Sequence, residues 1–411
     1  MTEDPDVAAA PAPRSGVGVP GSSLHTGLAI LALAMGGFAI GTTEFVSMGL
    51  LPQLAAGVDV SIPMAGHVIS AYAVGVVVGA PLIAVFGARL PRRALLVGLM
   101  LVFLVGNVAS ALAFDFTSLT LARFFAGLPH GAYFGVASLV AADLVSPERR
   151  GRAVGNVMLG LAVANVAGVP TATWLGQNLG WRSAYWLVAV LATVTVLLVL
   201  WMVPHVAANR AATGRSELRA FKDPQVLLTL LAGAIGFGGM FAVYTYIAPT
   251  VTDVAGFGEG RVPIYLLALG LGMVVGTALA GRLADWSIFR SLLLSSVAMT
   301  LTLVAFTETV KWFVPGLLTV FALTVFGSVL VVNLQMRLMQ VAGDAQTIGA
   351  AMNHASLNLA NALGAWLGGL VVAAGFGYTS TAWVGAGLSV AGLLVLLLSA
   401  TLHRRAVATA P

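Results

Sequence analysis

The sequence predicts an all-α membrane protein, with twelve transmembrane helices in two pseudo-symmetric six-helix halves. Three observations carry that prediction. Of 411 residues, 59% are apolar and only 9% charged; a soluble chain carries about 25% charged residues, so this composition cannot assemble a water-facing surface. Apolar runs of the roughly 20 residues that cross a bilayer recur from end to end. Landmarks also repeat at one offset: Pro52 and Pro249, Gly75 and Gly272, Gly79 and Gly276, and Arg93 and Arg290 are each 197 residues apart.

Residues 1–23 are rich in Pro, Ala and Gly and read as a disordered tail. They lack the charged and short apolar regions of a cleaved signal, so the first helix is expected to remain a span. The spans are placed at 24–50, 62–87, 94–114, 118–143, 151–177, 181–204, 225–250, 261–285, 289–308, 311–336, 346–374 and 378–402. The longest internal polar stretch, 205–224, links a first bundle (24–204) to a second (225–402), and 403–411 form a second tail. An even number of spans puts both termini on one side. With that side cytoplasmic, sixteen of the twenty Lys and Arg fall in cytoplasmic segments, the asymmetry of the positive-inside rule. The same rule explains the net charge of +5 without nucleic acid. The absence of cysteine excludes disulfides, thiolate metal sites and cysteine nucleophiles.

The 48 glycines fit helices that pack through small residues. Gly127, Gly131, Gly160 and Gly168, with Pro170, are the expected packing and bending points, as are Gly75/Gly79 and Gly364/Gly368.

The stretch Gly41–Pro52, GTTEFVSMGLLP, holds Glu44, a carboxylate inside a long apolar run. Sixteen residues from Leu28 place it about 24 Å across the bilayer, in the outer third. A carboxylate there is costly unless paired, protonated or wetted. Arg123, on the inward-running fourth span, reaches a similar depth, about 7 Å below the outer surface. The pair fits a proton site whose affinity the arginine tunes; the alternatives are a static ion pair locking two helices and Glu44 sitting in a wetted funnel. His130 follows two turns after Arg123 on the same face, near mid-membrane, as a proton relay, a ligand contact or a histidine bonded to a carbonyl beside Pro129. On the eleventh span His354, Asn358 and Asn361 form one polar stripe, edged by Asn353. Asn165, Asn333, Gln335, Tyr244 and Tyr246 are further polar handles, for a cavity or for neighbouring helices. Few polar handles among apolar and aromatic residues suit a small, moderately hydrophobic ligand.

Several strings resemble a known family: GTTEF, SIPMAGHVISAYAVGVVVGAPLIA, RFFAGLPHGAYFG and LAVANVAGVPTATWLGQNLGWR. They are similar to the major facilitator superfamily, in its drug:proton antiporter branch, and within it to the arabinose-efflux-like and chloramphenicol-exporter group. The resemblance spans about residues 25–400. The loop motif after the second helix survives as Ala84 to Arg93, AVFGARLPRR, with Ala88 where the family has Asp and Pro91 where it has Gly. Its second copy, Gly281 to Arg290, keeps the acid as Asp285. Arg89, Arg92, Arg93, Asp285 and Arg290 are thereby candidate gating residues. Asp143 and Arg152, in ADLVSPERRGR, either close the same side or belong to a solvated positive loop.

The resemblance implies alternating access about a midplane cavity, one half rocking on the other. It implies export of a small organic compound, chloramphenicol-like, in exchange for protons, across a bacterial inner membrane, by a monomer. Glu44 and Arg123 would couple protons, and His130, Asn165, Tyr246, His354, Asn358 and Asn361 would line the substrate cavity. A sugar or nucleoside efflux carrier is the alternative. An intramembrane lipid-modifying enzyme would need a clustered constellation that Glu44 lacks, and a channel would need a filter loop or charge ring. No nucleotide-binding loop, metal spacing or paired carboxylates occur, so no enzyme activity, cofactor or metal is expected.

Overall fold

The computed structural model describes residues 23–87, 90–146, 149–204, 223–341 and 346–408, and these are helices and turns, with no strand among the described residues. Arg89, residues 1–22 of the expected tail and residues 205–222 of the expected linker lie outside them. The first half contains α1 (Ser23–Gly49), α2 (Ile62–Gly87), α3 (Arg92–Leu112), α4 (Phe116–Asp143), α5 (150–179) and α6 (Arg182–Met202). The second contains α7 (Pro224–Thr245), α8 (262–286), α9 (288–309), α10 (Phe313–Val341), α11 (Gln346–Ala373) and α12 (Ser380–Ala408).

The eighth and ninth spans, expected as separate helices, are two helices, 262–286 and 288–309, joined without a loop at Ser287, whose backbone is extended (φ −175°, ψ 112°). The Ser291 hydroxyl donates to the carbonyl of Leu283, eight residues back, at 2.7 Å, which only a sharp reversal permits. The two spans therefore meet in a connection of a single residue, tighter than the polar residues around it imply.

Proline breaks other helices at useful places. α4 pauses at Pro129 and restarts at His130. α5 widens into a π turn, Ala164–Gly168, just before Pro170, whose ring and missing N–H disrupt the regular ladder.

The repeat read from sequence is a repeat of packing. α2 lies on α4 as α8 lies on α10, α1 on α5 as α7 on α11, and α3 on α6 as α9 on α12. Gly75 and Gly79 press on the carbonyls of Phe124 and Leu128, and Gly272 and Gly276 on those of Phe321 and Val325. Each carbonyl is itself 197 residues from its counterpart. A side chain at any of these four glycines would collide with backbone, which cannot move aside.

α3, α6, α9 and α12 present Val105, Leu197, Leu301 and Leu394 outward, the exposed apolar surface expected against lipid. Between the halves, α2 meets α11 and α5 meets α8.

Candidate functional site

The site begins with the two sides of α1. Leu33 and Ile40 join Val188 and Ala192 of α6 in one apolar cluster. Leu31, Met35 and Phe38 lie on the opposite side, and Phe45 follows Phe38 by two turns. The Phe45 ring stacks on Tyr244 at 5.2 Å and on Phe241 at 6.3 Å, both on α7, so this side of α1 faces the second half. A cavity of about 470 Å³ runs along it, lined by Leu31, Met35 and Phe38 of α1 and Leu159 and Val163 of α5. Asn156 is its one polar side chain. The cavity adjoins the first turns of α1 and α5, and so lies toward the end of the molecule where the chain termini emerge.

Glu44 lies about 9 Å along α1 beyond Phe38. It is 7% exposed and makes no hydrogen bond or ion pair with a described residue. Arg123 is fully buried, and its guanidinium holds the residue next to Glu44. Nη1 donates to Thr43 Oγ1 and Nη2 to the Thr43 carbonyl, both at 3.0 Å. The guanidinium carbon lies 4.3 Å from the centre of the Tyr72 ring and 5.3 Å from that of Tyr185. Two aromatic faces and two threonine oxygens thus replace the water that a buried cation loses. Thr43 in turn donates to Asn107 Oδ1 at 2.6 Å, and Asn107 Nδ2 donates to the Phe103 carbonyl at 2.8 Å. The Arg123 Nε hydrogen has no partner. Glu44 is within electrostatic reach of Arg123, Tyr72 and Tyr244. The two charges share a neighbourhood without touching.

His130 is buried, with Nδ1 at 3.0 Å from the Tyr72 hydroxyl. The Phe134 ring lies between it and His354 of α11, at 5.4 Å and 6.0 Å. Tyr72 and Phe134 therefore connect Arg123 to both predicted histidines, the second in the other half. Of the predicted amides, Asn361 is fully buried with neither end bonded. Asn165 and Asn358 each donate to a carbonyl of their own helix and keep an oxygen free. Tyr246 stands apart: its hydroxyl donates to the Ala365 carbonyl at 2.9 Å, and its ring packs on Gly368, at the end away from the termini. The neighbouring Tyr244 has the unbonded buried hydroxyl.

The gating candidates divide unevenly. Arg92 forms an ion pair with Asp143, and Arg93 donates to the Leu200 carbonyl. In the second copy Arg290 stacks over Trp286 at 5.5 Å, while Asp285 is exposed and in no ion pair among the described residues. Arg152 is likewise exposed and in no such pair. The copy that kept its acid is thus the unpaired one, and a different set ties the second half: Arg337 and Ser399 both donate to Gln225 Oε1, at 3.2 Å and 2.6 Å. Thr43, Tyr72, Asn107 and Tyr185 were not singled out from sequence. Their only signal there is a polar group inside an apolar run.

Residues 33–354 match the family described as Major Facilitator Superfamily. The chain is 42% identical over 376 residues to the Inner membrane transport protein YdhP of Escherichia coli (strain K12), across 90% of this chain and 94% of that one. It is 37% identical over 374 residues to the Chloramphenicol resistance protein of Streptomyces lividans, across 86% of this chain and 90% of that one. The crystal structure of D-xylose-proton symporter superposes with a TM-score of 0.70 at 18% identity, covering 91% of this chain and 97% of that one, a likeness of fold.

Proposed function

The chain belongs to the major facilitator superfamily and is a membrane transporter, and on that footing we propose that it exports a small, moderately apolar organic compound in exchange for protons. The observation that carries this reading is one arrangement: on α1, whose other side lines the apolar cavity, a buried carboxylate makes no hydrogen bond or ion pair with a described residue and shares its neighbourhood with a buried cation. An intramembrane acid without a structural partner is free to change protonation, and the membrane makes its charge state expensive enough to drive a conformational change. Arg123 keeps one N–H unused, and a movement of α1 and the arginine side chain relative to each other would exchange Thr43 for Glu44 on the guanidinium. Deprotonated Glu44 would favour that exchange, and a proton would release it.

The cavity wall supports the substrate class. Leucine, valine, methionine and phenylalanine cannot satisfy a sugar's ring of hydroxyls, whereas an apolar body with few polar groups fits the wall; the unpaired buried atoms of Asn165, Tyr244, Asn358 and Asn361, outside that wall, are the further contacts we assign to its polar groups. The Streptomyces relative's name makes an amphenicol the first compound to try. The excess of Lys and Arg on one side supports termini in the cytoplasm of a bacterium, with 24–204 and 225–402 as the rocking units and a monomer as the working form. With the termini so placed, the cavity opens to the cytoplasm.

The test is proton movement in proteoliposomes under an inward-acid gradient, with a panel of amphenicols, other antibiotics, pentoses and nucleosides. One apolar class should produce a signal, and Glu44→Gln should abolish it while leaving downhill substrate exchange. A response to pentoses alone, or coupling that survives Glu44→Gln, would overturn the proposal.

A further inference from the structure

Among the described residues, three hydrogen bonds join one half to the other, and two of them end on Glu259. Its Oε2 accepts from Gln53 Nε2 at 3.0 Å, and its backbone carbonyl accepts from Gln177 Nε2 at 3.1 Å. Gln53 lies in the short helix Leu51–Gly57 that continues α1, nine residues past Glu44. Gln177 lies in the last turns of α5. Glu259 opens the single turn Glu259–Arg261 that leads into α8. One acidic residue therefore holds both first-half helices that line the cavity, at the end opposite its mouth.

Beneath this contact the halves are sealed. Met48, Leu51 and Val169 of the first half share one apolar cluster with Val251, Val262 and Leu266 of the second, all buried. Gln53 is balanced on the contact: while Nε2 binds Glu259, its Oε1 is buried with no partner. Removing the carboxylate leaves a partly buried amide bonded at neither end, a cost borne only while this end is closed, because opening returns the amide to water.

We propose that Glu259 is the positioning residue that sets how long the far end stays shut, by clasping the α1 extension and α5 against α8. The inference rests on the alternating-access reading above and adds the residue that biases its equilibrium. It also links the proton site to the gate mechanically, since Glu44 and Gln53 ride on one continuous stretch of chain.

The chain has no cysteine, so a single introduced thiol reports without background. Leu266→Cys, buried in the seal, reports opening of the far end, and Val251→Cys is a second reporter should the first not fold. Met35→Cys reports exposure of the cavity. In nanodiscs, Glu259→Ala should raise maleimide labelling of the seal reporter about tenfold and lower that of Met35→Cys, because one equilibrium exchanges the two states. Gln53→Ala should match it, the double variant should add nothing, and Glu259→Gln, which keeps an acceptor oxygen without the charge, should fall between. Unchanged seal labelling, or both rates rising together as in a loosened protein, would overturn the clasp. Labelling needs neither substrate nor gradient. Opposite shifts in a protein whose flux ignores Glu44 would therefore support the clasp and count only against proton coupling.

Discussion

The two halves are alike in how their helices pack and different in what they bury. At the 197-residue offset that superposes their glycines, Phe241 occupies the place of Glu44 and Val320 that of Arg123. No charged side chain is buried among the described residues of the second half, whereas the first buries both of these. Phe241 and Val320 instead join the apolar cluster beneath the clasp. Duplication preserves what packing requires, which is little more than a missing side chain wherever two backbones touch. A buried charge requires far more: Thr43, Tyr72, Asn107 and Tyr185 surround Arg123, and no equivalent network occurs among the described residues of the second half. Chemistry is local to one half because solvating a charge without water takes many residues at once.

The contrast is sharpest at its charged end. Arg123→Met should destabilise the folded protein by about 3 kcal/mol, leaving the Thr43 hydroxyl and carbonyl oxygens without their donor, while Val320→Met, which adds one heavy atom to an apolar site and breaks no hydrogen bond, should cost about 1 kcal/mol. Denaturant unfolding in detergent would measure both. Equal costs would mean that the network around Arg123 is incidental.

Glycine substitutions should erase the contrast. Gly75→Val and Gly272→Val should each cost about 1–3 kcal/mol, because each collides with a carbonyl of the neighbouring helix. A large asymmetry in their melting temperatures would show that the shared packing is only nominal.

Asn361→Leu tests whether the second half's amides serve the fold or the ligand. Its amide is buried and unbonded at both ends, a burden of about 1–3 kcal/mol, so the leucine variant should be as stable as the parent or more so. Substrate affinity should fall several-fold. A clear loss of stability without loss of affinity would make Asn361 a structural residue.

The smallest effects are expected at the gating motifs. Arg92 and Asp143 are 16% and 43% exposed, so breaking the pair with Asp143→Asn should cost about 0.2–1 kcal/mol, with less effect at high salt. Asp285→Asn, with no described partner, should not change stability measurably. If the order reverses, the second copy closes a contact in another state of the cycle.

Much of this was legible in the chain. Twelve apolar runs, a fixed offset between glycines and prolines, and one-sided arginines determine an all-helical, two-part membrane fold, because spanning a bilayer constrains composition residue by residue. Glu44 was legible for the same reason: in an apolar run a lone carboxylate has nowhere to hide. The tertiary structure alone decided which groups meet. It assigned Arg123 to Thr43 and the Tyr72 hydroxyl to His130, gave the free hydroxyl to Tyr244 instead of Tyr246, and joined α8 to α9 through the single extended residue Ser287. It also raised Glu259, an ordinary loop acid in sequence, to a contact between halves. Insertion in a membrane is decided by the sum of local transfer energies, which a sequence states openly. Partners are decided by helix rotation and tilt, where about 100° of rotation per residue separates one neighbour from the next.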